Sequence, residues 1–143
     1  MKSTPEELIP ISFSKIVQSN AYTILILGTK QKKFAIYTDP LVGHNLQLYL
    51  SEEPPERPSS HNLIGSICKG FNIKIIQVVI SGVEDTLYFA RLFLEQEREG
   101  LKEIAEIDAR PSDCISLALM YRVPILCRRD VLEQAVPIED ETP

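Results

Sequence analysis

Within Ile107-Asp108-Ala109-Arg110-Pro111-Ser112-Asp113, two carboxylates and a guanidinium lie within six residues, just before an apolar stretch with helical spacing. Pro111 suits the first helical position, where its missing N–H leaves no intrahelical bond unmade. Asp113 then falls in the first turn, where the helix dipole favours an anion. Paired acids such as Asp108 and Asp113 are the residue type that holds Mg2+ or Mn2+, or activates water, for attack on a phosphodiester. Arg110 and the hydroxyl of Ser112, at a free helix start, are suited to phosphate or carboxylate recognition. A second Arg-Pro-Ser occurs at Arg57-Pro58-Ser59, followed by Ser60-His61-Asn62. Arg57 is a further candidate for substrate binding. His61 carries an imidazole, the side chain most used for proton transfer, and is a candidate for that role. A structural alternative stands beside each role: Asp113 satisfies helix N–H groups, Asp108 pairs with Arg110 or Arg57, and His61 is a hydrogen-bonded loop residue.

Arg91 interrupts the apolar run Leu87-Tyr88-Phe89-Ala90-Arg91-Leu92-Phe93-Leu94. Strand alternation puts Tyr88, Ala90, Leu92 and Leu94 on one face and Leu87, Phe89, Arg91 and Phe93 on the other. A cation on an aromatic face needs a carboxylate, and Asp108 or Asp113 would serve. Arg91 is therefore either a member of a structural network or a further substrate-binding residue. Tyr88, Phe89 and Phe93 are of a type that stacks on bases, but aromatics in an apolar strand more often pack a core.

The elements that must position these residues follow from periodicity and punctuation. Residues 21–29 and Lys33–Thr38 read as a hairpin that ends at Asp39-Pro40. Residues 44–53 fit either period, with a lean to helix, and the prolines of 51–60 mark a loop. Residues 60–70 follow the helical period, with Ser59 or Ser60 as cap. Residues 73–81 and 86–95 predict a second hairpin, and 102–107 a strand leading into the helix that begins near Pro111. A short strand at 123–127 and a last helix at 128–135 follow. Residues 1–14 read as a loose arm, 15–136 as the domain and 137–143 as an acidic disordered tail. This order predicts a single compact α+β domain, a mostly antiparallel sheet with about three to four helices packed on it.

The chain of 143 residues has a net charge of −5 and 44% hydrophobic residues, enough for one buried core. The charge argues against a broad phosphate-tracking surface, though not against a small cleft for RNA or DNA. No apolar run approaches the roughly 20 residues of a membrane span. The first residues do not resemble a secretory signal. Cys68, Cys114 and Cys127 are widely spaced in apolar surroundings, which suits buried thiols in a reducing cytoplasm. Gly-rich phosphate loops, Gly-x-Ser-x-Gly and His-Glu-x-x-His are absent from the sequence.

The run from Arg57 to Leu63, the run from Leu87 to Leu92 and above all the run from Ile107 to Ala118 together resemble the bifunctional nuclease family. This is a small bacterial and plant domain credited with activity on RNA and DNA. Val123-Pro124-Ile125 is similar to the family's strand after its last long helix, so the likeness extends over residues 21–135. It implies a cytoplasmic α+β domain that forms homodimers and cleaves phosphodiesters, with Asp108, Asp113 and His61 catalytic and Arg57, Arg110, Arg91 and Ser112 binding substrate. Two positions differ: Asn62 stands where the family pattern has an acid, and Gly43-His44-Asn45-Leu46-Gln47 lacks another. A non-catalytic module that binds an anion or a partner through the same polar cluster is the alternative.

Overall fold

In the computed structural model, residues 4–53 and 56–139 are described. The elements run β1 (Leu8–Gln18), β2 (Thr23–Gly28), β3 (Lys33–Thr38), α1 (Pro40–Leu50), α2 (Ser60–Gly70), β4 (Ile73–Glu84), β5 (Leu87–Arg98), β6 (Leu101–Ala109), α3 (Pro111–Tyr121), β7 (Ile125–Arg128) and α4 (Arg129–Gln134). They form an α+β fold with one mixed seven-stranded sheet in the order β3-β2-β1-β7-β4-β5-β6. Two antiparallel meanders, β1-β2-β3 and β4-β5-β6, flank β7, which runs antiparallel to β1 and parallel to β4.

The alternation read in β5 is observed. Tyr88, Ala90 and Leu92 are buried, whereas Leu87 and Phe89 on the opposite face are exposed. Phe34 of β3 stacks on Tyr88 of β5, ring centroids 5.3 Å apart, so the two meanders meet in the core although they are distant in strand order. Leu25, Leu27, Phe34, Val78, Ile80, Ile115 and Leu117 are almost wholly buried around that contact. The three cysteines are free and buried within or beside the same core. Burial above all, with Asp113 and Asp108 adding to it, pushes the Cys114 thiol up to about 12. Such a protonated thiol serves packing rather than chemistry.

The helix starts obey position rules. Asp39 caps α1, its Oδ1 accepting from the Val42 N–H at 3.1 Å, and Pro40 takes the first helical position. Ser59 caps α2 in a reciprocal box, Ser59 Oγ accepting from the Asn62 N–H and Asn62 Oδ1 from the Ser59 N–H. That box satisfies two otherwise orphaned donors. Pro111 is the first residue of α3, which ends at Arg122 in the left-handed conformation.

Two expectations need correction. The loose arm read for residues 1–14 forms strand β1 from Leu8 onward, near the middle of the sheet. Pro10 disguised it, but at Pro10 only one flank of β1 is paired, with β7, so a missing N–H is tolerated. The residues just before β1 are also anchored. The Arg129 and Asp130 N–H groups bond the carbonyls of Glu7 and Pro5, and Arg129 pairs with the Glu7 carboxylate at 2.8 Å. The ambiguous segment is helix α1, but it begins at Pro40, so Asp39-Pro40 opens a helix rather than merely closing a hairpin. At the other end, the Ile138 N–H bonds the Lys33 carbonyl at 2.9 Å. The rest of the acidic tail, 140–143, lies outside the described residues, as do 1–3 and the loop residues Pro54 and Pro55.

Gly43 permits the close seating of α1 on the sheet. A Cβ there would lie 2.1 Å from both Thr23 Oγ1 and Gln18 Oε1, and Thr23 is fully buried and bonded to Gln18 at 2.9 Å. Gly43→Ala is expected to lower the urea midpoint, because overpacking costs about 1–3 kcal/mol and outweighs the gain of up to about 1 kcal/mol in helix propensity. An unchanged or higher midpoint would contradict this packing.

Candidate active site

The N-termini of α1, α2 and α3 are linked through one carboxylate. Asp113, in the first turn of α3, accepts two bonds from Arg110, from Nε at 2.9 Å and from Nη2 at 3.2 Å. Its Oδ1 also lies 2.9 Å from Nε2 of His61, the second residue of α2. Arg110 extends toward Asp39, the cap of α1, with 3.9 Å between Nη1 and Oδ2. His61 is buried, Asp113 is half-buried, and the Arg110 guanidinium is open to solvent. Thus His61, Asp113 and Arg110 come together, and Asp39 joins them.

The local sequence explains this geometry. Arg110 occupies the cap position of α3 without making a side-chain cap bond, so its guanidinium is free to turn back onto Asp113 three residues ahead. The structural alternative in which Asp113 satisfies helix N–H groups is corrected: its oxygens serve Arg110 and His61. Burial resists ionisation of Asp113, but the bonds from Arg110 and His61 outweigh it and hold the carboxyl below its ordinary value.

The two Arg-Pro-Ser runs enter their helices in different frames. In α3 the arginine is the cap, whereas in α2 the serine is, because the Ser59–Asn62 box fixes the start there. Arg57 consequently stands two residues before the cap of its helix, exposed, while Arg110 is itself the cap of α3. Asn62, where an acid was expected, serves this box.

Asp108 lies on β6, exposed, and shares with Asp39, Arg110, Ser112 and Asp113 a cleft of about 740 Å³. Ser112 is buried in its wall, and Tyr37, Leu87 and Phe89 expose apolar surface along it. Arg91 is directly opposite Asp108 in the β5–β6 register, yet its ion pair is with Glu106, at 3.9 Å. The expected pairing with Asp108 or Asp113 is therefore replaced by a diagonal neighbour on the same face. His61 does not line this cleft. It lines a second cavity between α1, α2 and α3, and touches the cleft through Asp113.

The donor set of Asp108 and Asp113 does not suit the Mg2+ or Mn2+ expected for it. Asp113 already accepts a guanidinium on both oxygens, and that cation would repel a divalent ion. Among the described residues no three His, Cys, Asp or Glu side chains converge as metal ligands. Sequence reasoning missed Asp39, although Asp-Pro is a helix-start signal of the kind used at Pro111. It also missed Ser116 and Tyr49, whose roles depend on tertiary contacts.

The depressed carboxyl of Asp113 links stability to acid. Its stabilisation is complete above the ordinary value of 3.8 and is lost as pH falls through the lower folded value. At pH 7, Asp113→Asn is expected to cost about 1.5–3 kcal/mol, the range for bonds to charged groups. In urea unfolding the gap between wild type and variant should narrow on going to about pH 3. A gap independent of pH would refute the linkage.

The family model of the bifunctional nuclease domain matches residues 24–139. Two uncharacterized proteins of Mycobacterium tuberculosis, from strains CDC 1551 and H37Rv, are each 32% identical over 91 residues, covering 63% of this chain and 51% of theirs. The chain thus matches about half the length of these relatives. No helix among the described residues is long and apolar enough to cross a membrane. The match runs from β2 through α4, with the three linked helix starts and the cleft inside it and β1 outside it, and the chain belongs to the bifunctional nuclease domain family.

Proposed function

We propose that this domain hydrolyses phosphodiester bonds of RNA and/or DNA in the cleft between β3, β5 and the start of α3. The observation that carries the reading is the Arg110 guanidinium, fixed by Asp113 beside the exposed carboxylate of Asp108. Arg110 would bind a non-bridging phosphoryl oxygen as charge builds there. Asp108 would orient the attacking water, accept its proton as the new P–O bond forms, and return that proton to the sugar oxygen released as its P–O bond breaks. Tyr37 and Phe89, exposed along the cleft, would stack on bases. Ser112 would help form the phosphate-facing wall, and Arg91 and Arg57 would meet flanking phosphates by charge alone. Asp113 and His61 act in this scheme as positioning residues, since both of Arg110's bonds end on Asp113 and His61 buttresses it.

Because the carboxylates do not suit a divalent ion, no step is assigned to a metal, and the roles above belong to side chains alone. A homodimer is part of the same proposal. Leu101, Ile104 and Ile107 are exposed on β6, an edge of the sheet, and a second copy would cover them. A second reading, a non-catalytic module that binds an anion or a partner, draws support from the closed pairing of Asp113 with Arg110 and His61.

Purified protein incubated with single-stranded RNA and DNA, in EDTA or with Mg2+ or Mn2+, is expected to cleave in EDTA. Asp108→Asn should lower kcat by about 100-fold or more, the range of a general base. Arg110→Gln should lower kcat and make the rate less sensitive to salt, because one phosphate contact is lost. Equal rates in wild type and Asp108→Asn would remove Asp108 from the mechanism, and cleavage that needs Mn2+ would overturn the metal-free roles. Binding of oligonucleotide without cleavage would establish the second reading.

A further inference from the structure

The cavity between α1, α2 and α3 has a volume of about 540 Å³, within the range of small-molecule sites. Leu46, Leu119 and Met120 give it apolar walls, and His61 and Ser116 contribute polar groups. Tyr49 Oη donates to the Met120 carbonyl at 2.9 Å, tying α1 to α3 beside the opening. The walls are thus held apart by the fold itself.

Ser116 is the unusual feature. Among the described residues its Oγ is the one buried side-chain oxygen or nitrogen without a hydrogen-bond partner, and the residue is 2% exposed. A serine inside a helix commonly bonds a carbonyl one turn back; here Ser116 stands in the cavity wall with its enclosed Oγ unpaired. Buried polar groups are paired so regularly that such an exception calls for a partner. His61 adds a second polar group: its Nε2 faces Asp113, so a ligand would be met by Nδ1. The mouth carries Glu52, Glu53 and Arg122, a net negative rim that disfavours anions.

From these features we propose that the cavity is a binding site for an uncharged heteroaromatic small molecule. Its flat faces would pack on Leu46, Leu119 and Met120, and its polar edge would meet Ser116 Oγ and His61 Nδ1. Met120 suits such a face because thioethers pack well on aromatic rings. A ligand that donates to Nδ1 fixes the tautomer with the proton on Nε2, toward Asp113. The site is therefore coupled to Arg110 through one shared imidazole. None of this depends on the phosphodiester reading.

Benzimidazole, which offers a donor and an acceptor on one edge, is the probe, and its anionic carboxylate analogue is the contrast. Titration followed by amide and imidazole NMR should give saturable shifts at the facing residues of α1, α2 and α3 and at the His61 ring. Ser116→Ala should melt no lower than wild type and bind benzimidazole about tenfold more weakly, as should the carboxylate analogue with wild type. Should Ser116→Ala melt lower, Ser116→Cys, similar in size and a poor hydrogen-bonding group, is to show the same weakening. No saturable shift, shifts confined to other surfaces, or equal affinity in the serine variants would overturn the site, whatever the protein does to nucleic acid.

Discussion

Asp113 sits where three helix N-termini meet, and its carboxylate is the negative charge that lets them do so. Each helix start carries partial positive charge, and Arg110 and His61 bring further donors to the same place. Asp39 answers part of that charge at α1, and the Ser59–Asn62 box answers the donors of α2 without adding any. Asp113 answers the rest. Its hold on Arg110 orients the guanidinium, and its bond to His61 keeps α2 against α3.

That same bond is a partition. On one side lies the acidic cleft with its exposed rings, and on the other the apolar cavity with the unpaired serine. The two faces differ in their lining, and the His61–Asp113 pair connects them. The imidazole of His61 is therefore shared between the two sides.

Both hairpins and the helices at Ser59 and Pro111 were legible because alternation and capping residues agree there. β1 was not, since Pro10 broke the pattern within the stretch that pairs with β7 alone. The acids of the site were visible as residue types, but their partners were not. Arg91 takes Glu106 diagonally rather than Asp108 opposite, and Arg57 is left outside its helix by a capping choice made at Asn62. Ser116 looked like any helix residue, because an unmet hydroxyl is a property of its tertiary surroundings.

The four residues of β7 also set an order of events in folding. Each meander pairs strands adjacent in sequence, so each can form from short loops with little entropy lost. Within the sheet β7 alone joins them, and it follows both meanders in chain order. Until it arrives, β1 and β4 both present open edges to solvent. The nascent chain thus passes through a stage of two half-sheets able to pair with other chains, and closure by Ile125–Arg128 ends that exposure.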